Sequence, residues 1–258
     1  MNPNSHFDNL DAWRQNQARP WNRLRYLLVE ANLQRVIGDS APLRVLDVGG
    51  GDGRDALPLA LRGHNVLVLD DAPAMLAEAE RRAKEAGAGD RICTQRIDVA
   101  GGELPVAVES FDLVLCHNVL QYLPDPAQLL RPIADTLRPG GWFSLLIPNP
   151  ASETLRHALQ QLDLPAALAS LDATTHRNHF YGVEMHLYDL PALWAMLAAA
   201  GLTPIEYHGV RCVNDYIGDD AVKSGAEGFE RLLALEQAMG TRSPYRDIAR
   251  LWQIIARK

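Results

Sequence analysis

Short apolar runs alternating with amphipathic stretches constrain this chain most. In order come "LRVLDV", a helical pattern near 54–62, "NVLVLD", a second from Pro73 to about Ala86, and "RICTQRI". "FDLVLC", a third helical pattern near 127–137, and "WFSLLIP" follow. Strands this short and this continuously apolar are buried on both faces, which requires a parallel sheet with helices packed on each side. The expected fold is therefore an α/β doubly wound sheet. Helices are also expected over 7–19 and 22–37, the second carried by Leu24, Leu27, Leu28 and Ala31 at helical spacing. "RPGG", residues 138–141, is expected to stop the third helix.

Residues 151–188 are less regular and contain Pro165, and read as short helices inserted above the carboxyl edge of the sheet, where ligands of such folds bind. A helix near 189–200, a strand near 202–213, a helix at about 226–239 and a strand near 250–257 complete the pattern. The expectation is one domain over 1–258: a helical cap to 42, a cofactor-binding core over 43–150, a lid over 151–188, and the rest of the sheet over 189–258.

"VLDVGGGDGRDA", residues 45–56, sits where the first strand turns into its helix. Glycines there let backbone approach a ligand without Cβ clashes. Gly51 to Ala56 formally satisfies the G-x-G-x-x-G/A dinucleotide pattern, and Asp70 and Asp71 stand near the distance expected of a ribose-binding acid. Electrostatics separates the ligands. A pyrophosphate seeks a helix N-terminus free of competing negative charge, whereas this loop carries Asp47, Asp52 and Asp55. S-adenosylmethionine presents an ammonium, a sulfonium and no phosphate, so acids with glycines suit it better than a nicotinamide dinucleotide. Helix capping or first-turn placement accounts for Asp52 and Asp55 about as well, but not for Asp47 at a strand end. Asp70, closing the second strand, can accept both ribose hydroxyls.

"VLDVGGGDG", "NVLVLDDAPAML", "FDLVLCHNVLQYLPDP" and "LRPGGWFSLLIPN", in that order, resemble the successive motifs of class I S-adenosylmethionine-dependent methyltransferases. The resemblance implies a seven-stranded Rossmann-like sheet with an antiparallel last strand. It implies that Gly49, Gly50 and Gly51 cradle the methionine portion, that Asp70 holds the ribose, that Asp98 and Val99 face the adenine, and that His117 lies beside the cofactor. A narrower resemblance, in "LRYLLVEANLQRVI", "RGHNVLVLD", "CHNVLQYL", "GVRCVNDYI" and the closing "IARK", is to the bacterial tRNA 5-carboxymethoxyuridine methyltransferases, which esterify a carboxylated wobble uridine. By that similarity Arg25 reaches the cofactor carboxylate.

For the acceptor side the residues offer Arg211, whose guanidinium could bind a carboxylate bidentately or pair with Asp215, and Asn149 beside Pro148 and Pro150. Tyr216 and His117 complete that set, and Trp13, Trp21, Phe180 and Tyr181 are candidates to wall a planar substrate. His176, His179 and His186 lack metal-ligand spacing, so no metal is expected. Arg242, Arg246 and Arg250 recur every four residues and would share one face of a helix, where they could follow a phosphate backbone. Against tRNA stand the net charge of −7 and only three lysines in the chain, with just Arg177 and histidines in "LDLPAALASLDATTHRNHF". A small carboxylate- or hydroxyl-bearing metabolite is the alternative substrate, and a non-catalytic nucleotide-binding module the alternative class. Cys93, Cys116 and Cys212 have neither metal nor disulfide spacing, and no apolar run is long enough to span a bilayer. The expected location is the cytoplasm, with no membrane partner.

Overall fold

The structure, a computed structural model, describes residues 10–178 and 182–258, with side chains from Trp13 onward. Two helices, α1 (Leu10–Gln17) and α2 (Pro20–Ile37), precede the first strand β1 (Arg44–Val48). There follow α3 (Ala56–Leu61), β2 (Asn65–Asp70), α4 (Pro73–Glu85), β3 (Ile92–Arg96), β4 (Phe111–His117), α5 (Ala127–Thr136) and β5 (Leu137–Pro148). The insert supplies α6 (Pro150–Leu159), α7 (Leu164–Ser170) and a hairpin of β6 (Thr175–Asn178) and β7 (Val183–His186). Last come α8 (Leu190–Ala199), β8 (Thr203–Val210), α9 (Ala221–Ser224), α10 (Ala226–Gly240) and β9 (Leu251–Arg257).

Seven strands form one sheet in the order β3-β2-β1-β4-β5-β9-β8. The β1–β2, β1–β4, β2–β3 and β4–β5 pairs are parallel, and β9 runs antiparallel between β5 and β8. Alternate residues of each central strand feed two separate cores. Val45, Val66, Leu113 and Leu146 pack with Leu24, Leu28 and Leu33 of α2. Leu46, Val48, Val114 and Leu145 pack with Leu129 and Ile133 of α5 and with Leu193 and Leu197 of α8. The inner face of α2 also buries Arg25 and Asn32, two polar side chains that take part in the site below.

Three local expectations differ. The third helix ends at Thr136 as expected, but "RPGG" already belongs to β5 and is not a loop before it, with the Gly140 N–H donating to the Lys258 carbonyl. The insert is not all helical, since the β6–β7 hairpin follows its two short helices. Residues 241–250 are not an α-helix: α10 ends at Gly240, and Pro244, which lacks an N–H, leads into a single 3-10 turn over Tyr245–Ile248. Of the helix expected over 7–19, residues 7–9 lie outside the described ones.

Candidate active site

The end of β1 is pinned to β2 by the N–H groups of Gly49 and Gly50, both donating to the Leu69 carbonyl at 2.8 and 3.1 Å. Gly49 and Gly51 have φ of 68° and 53°, the left-handed region that favours glycine. A Cβ at Gly50 would lie 2.5 Å from the Asp47 carboxyl, so the turn can take no larger residue without moving that acid. Asp70 holds the other side of the turn. One of its oxygens accepts the Gly51 N–H and the other the Ala72 N–H, each at 2.9 Å.

Asp47 is almost fully buried, and its Oδ2 has no hydrogen-bond partner. Burial first, then the neighbouring Asp55 charge, push its carboxyl well above the usual carboxylate range. A buried acid with an unsatisfied oxygen beside a bare glycine turn suits a ligand that brings a cation or donors.

Beneath this turn runs a closed hydrogen-bonded circuit. Arg25 Nη1 of α2 donates to Asp55 at 2.8 Å, and the other Asp55 oxygen meets His117 Nδ1 at 3.0 Å. His117 Nε2 lies 2.9 Å from Ser144 Oγ on β5, which accepts from Gln253 Nε2 of β9 at 3.0 Å. Gln253 Oε1 accepts from Asn32 at 2.9 Å, returning the circuit to α2 two turns beyond Arg25. The ionised Asp55 carboxylate can only accept, so the Nδ1–H of His117 donates to it. In the neutral ring Nε2 then carries no proton and accepts from the Ser144 hydroxyl. Burial lowers the His117 pKa despite Asp55, keeping the ring neutral at pH 7. Burial alone would raise Asp55, but the Arg25 charge and the hydrogen bonds from His117 and Arg25 outweigh it and hold the carboxyl well below its ordinary value. With both ring nitrogens engaged, His117 is a fixed wall of the site and not a free base.

The glycine turn, Asp47, Asp70, Arg25, Asp55 and His117 line one cavity of about 680 Å³. Asp47, Asp52, Asp55, Asp70, Asp71 and Asp98 line it with Arg25, and Asp52 is paired with Arg54 and Arg82. Asp98 caps the turn after β3 by accepting the Ala100 N–H at 2.9 Å, and Val99 lines the same end. Trp13 also lines the cavity, its indole donating to Asp52 at 3.0 Å. All nine residues assigned to a cofactor from the sequence therefore meet on this one cavity. The acid surplus, the orphaned Asp47 oxygen and the glycine cradle fit S-adenosylmethionine and would repel a pyrophosphate.

The acceptor-side candidates separate. Arg211 also lines the cavity and pairs with Asp215, Nε to Oδ2 at 2.8 Å and Nη2 to Oδ1. It stands at φ 65°, held by Glu236, a wholly buried acid of α10 that accepts the N–H groups of Cys212, Val213 and Asn214. Asn149 does not reach the cavity. It is fully buried, caps α6 through the Ala151 N–H and donates to the carbonyls of Asp247 and Ala249, which exhausts its amide. Tyr216 points elsewhere too, donating to the Ile248 carbonyl at 2.8 Å, with burial pushing its phenol up to about 12.

The three arginines at four-residue spacing do not share a face. Arg246 stacks on Tyr207 at 4.1 Å, while Arg250, just before β9, lines the cavity beside Arg211. Trp21 lies under Arg19 at 5.1 Å and is not a cavity wall, and Phe180 and Tyr181 lie outside the described residues. His176 pairs with Glu153 at 3.5 Å, His186 stacks near Tyr188, and His179 lies outside the described residues. Among the described residues no cluster of three His, Cys, Asp or Glu side chains could hold a metal, and no helix is long and apolar enough to cross a membrane. Arg250 was not legible as a site residue, because only the pairing of β9 with β8 brings it beside Arg211, and Glu236 was not legible as the support of the Arg211 turn, because it reaches that turn from α10.

Comparison with known proteins agrees with this geometry. Residues 46–145 match the methyltransferase domain family. The tRNA 5-carboxymethoxyuridine methyltransferase of Escherichia coli K12 is 30% identical over 239 residues, covering 92% of this chain and 88% of that protein. A ubiquinone biosynthesis O-methyltransferase of Pseudomonas putida is 32% identical over 144 residues, 55% of this chain and 60% of that one. The fold is similar to that of Burkholderia thailandensis 1,6-didemethyltoxoflavin-N1-methyltransferase, solved with bound S-adenosylhomocysteine (TM-score 0.60, 22% identity, 98% of this chain and 84% of that chain). The acid-lined glycine turn thus belongs to a known enzyme class: the chain is a member of the S-adenosylmethionine-dependent methyltransferases, in the family that includes the Escherichia coli tRNA 5-carboxymethoxyuridine enzyme.

Proposed function

We propose that this methyltransferase esterifies a carboxylate, with the carboxyl group of 5-carboxymethoxyuridine in tRNA as its acceptor. One observation carries the reading: the cavity that holds the glycine turn and its acids is also lined by the Arg211 guanidinium, whose Nη1 is not used on Asp215. The name of the Escherichia coli relative supports the tRNA acceptor.

When bound, S-adenosylmethionine supplies a methyl group on a positive sulfur, whose bonding pair returns to sulfur as the new bond to the acceptor oxygen forms. A carboxylate, with a pKa near about 4, is already an anion at pH 7 and transfers no proton in this step. That matches a site whose histidine has both nitrogens occupied. Asp70 and the glycine turn fix the donor end, and Arg211 orients the acceptor oxygen. Alignment of this kind lowers a barrier by up to roughly 7–11 kcal/mol. A phenol would instead require a base within hydrogen-bond reach. A small carboxylic acid is the second reading, favoured by the net charge of −7 and the scarcity of lysine.

The test is methylation of tRNA bearing 5-carboxymethoxyuridine by purified protein, followed by nucleoside mass spectrometry. Activity should fall steeply as salt rises. Arg211→Lys should lower kcat/KM about tenfold or more by losing the planar fork, with S-adenosylhomocysteine affinity unchanged. An unmodified tRNA at low salt, alongside turnover of a small carboxylic acid, would replace the tRNA reading with the small-molecule one.

A further inference from the structure

We propose that Arg250 is the second half of a guanidinium clamp for the acceptor carboxylate, working beside Arg211; this rests on the carboxylate reading above. The two residues are neighbours across the strand pair. The Arg250 N–H donates to the Arg211 carbonyl at 2.9 Å, one rung beyond the pairing of Val210 with Leu251, and both side chains line the cavity.

Each guanidinium is tethered along one edge only. Arg211 uses Nε and Nη2 on Asp215, and Arg250 uses Nη1 on Ser152 Oγ at 3.0 Å and on Glu153 Oε1. Among the described residues, Nη1 of Arg211 and both Nε and Nη2 of Arg250 make no hydrogen bond, so each fork keeps N–H groups for a ligand. The tethers restrict the rotamers of two long side chains before any acceptor arrives. Arg211 pairs with Asp215, and Arg250 shares Glu153 with Arg156.

The clamp should act on binding more than on the chemical step. As the ester forms, the acceptor oxygen loses its negative charge, so a guanidinium grips the starting anion at least as firmly as the transition state. Removing Arg250 should therefore raise KM with little change in kcat.

The experiment compares two anticodon stem–loop RNAs, one with 5-carboxymethoxyuridine and one with 5-methoxyuridine, titrated in the presence of S-adenosylhomocysteine. Wild-type protein should bind the carboxylated RNA more tightly. Arg250→Gln should lose about tenfold or more of that preference, with KM raised by the same factor and kcat within about threefold. Affinity for S-adenosylhomocysteine should stay within about twofold, because the Arg250 side chain is bonded to Ser152 and Glu153 and not to Asp70 or the glycine turn. Arg250→Lys keeps a positive charge opposite buried Glu153, protects the fold, and should still lose several-fold of the preference. Full preference in either variant, with normal S-adenosylhomocysteine binding, overturns the role of Arg250 alone. A wild-type protein indifferent to the carboxylate overturns the esterification reading and the clamp together.

Discussion

Replacing Asp70 by alanine isolates the ribose contact expected at the end of β2. A carboxylate offers about four lone-pair positions. Two are occupied by the N–H groups of Gly51 and Ala72, one on each oxygen. Asp70 also lines the cavity, where a remaining position can accept a ribose hydroxyl. Hydrogen bonds to a charged group contribute about 1.5–3 kcal/mol, and two on one carboxylate are not additive. Taking a single bond as the floor, Asp70→Ala should weaken S-adenosylhomocysteine binding about 10- to 150-fold by isothermal calorimetry. Stability should change little. The freed N–H groups open onto a wet cavity, and burial raises the Asp70 pKa, so losing the charge also relieves a desolvation penalty. A shift in Tm within about 2–4 °C is expected, the equivalent of about 1 kcal/mol at this chain length. Asp70→Asn serves as a shape control. Its single oxygen can keep only one of the two backbone N–H groups, so it should also bind weakly. A folded Asp70→Ala protein with affinity within threefold of wild type would refute the assignment.

Two further outcomes follow from the titrating groups. The raised Asp47 pKa means the empty protein is destabilised as pH climbs from the usual carboxylate range through that raised value, since the folded state then holds more protons than the unfolded one. A bound sulfonium and ammonium reverse that preference, so S-adenosylmethionine should bind more tightly with rising pH and release a proton. Calorimetry in buffers of different ionisation enthalpy reads this directly, and zero proton release through that window would exclude Asp47 as the cation's partner. The rate of methyl transfer should be level from pH 6 to 8 and unaffected by chelators, because His117 is neutral and doubly engaged and no base is required. A tenfold rise per pH unit, or a strict need for added divalent metal, would contradict this.

Much of the cofactor half was legible because it is local. A strand, three glycines and an acid at the end of the next strand fall within residues 44–70, and the parallel register follows from apolar runs buried on both faces. The acceptor half depends on distant pairings. Arg250 read as part of a helical stripe, because spacing cannot register that Pro244 ends the pattern and that β9 turns the side chain inward. Asn149 read as a ligand group from its place at the strand's end, although its amide is spent on α6 and on carbonyls 98 and 100 residues away. Arg211 carries both readings at once, paired with Asp215 and lining the cavity. Asp55 sits at the start of α3 but makes no side-chain cap there, since Arg25 and His117 claim it.

The mixed charge of the cavity lining has a consequence for turnover. In the proposed reaction a sulfonium and a carboxylate enter, and a thioether and an ester leave, so both reacting charges vanish together. The acids beside the glycine turn and the guanidiniums of Arg211 and Arg250 therefore attract each reactant more strongly than the product made from it. The same field that assembles the reacting pair loosens its hold once the methyl has moved, and it does so without any moving part. Product inhibition should accordingly be weaker for the neutral ester than substrate binding is for the anion, and raising salt should narrow that difference.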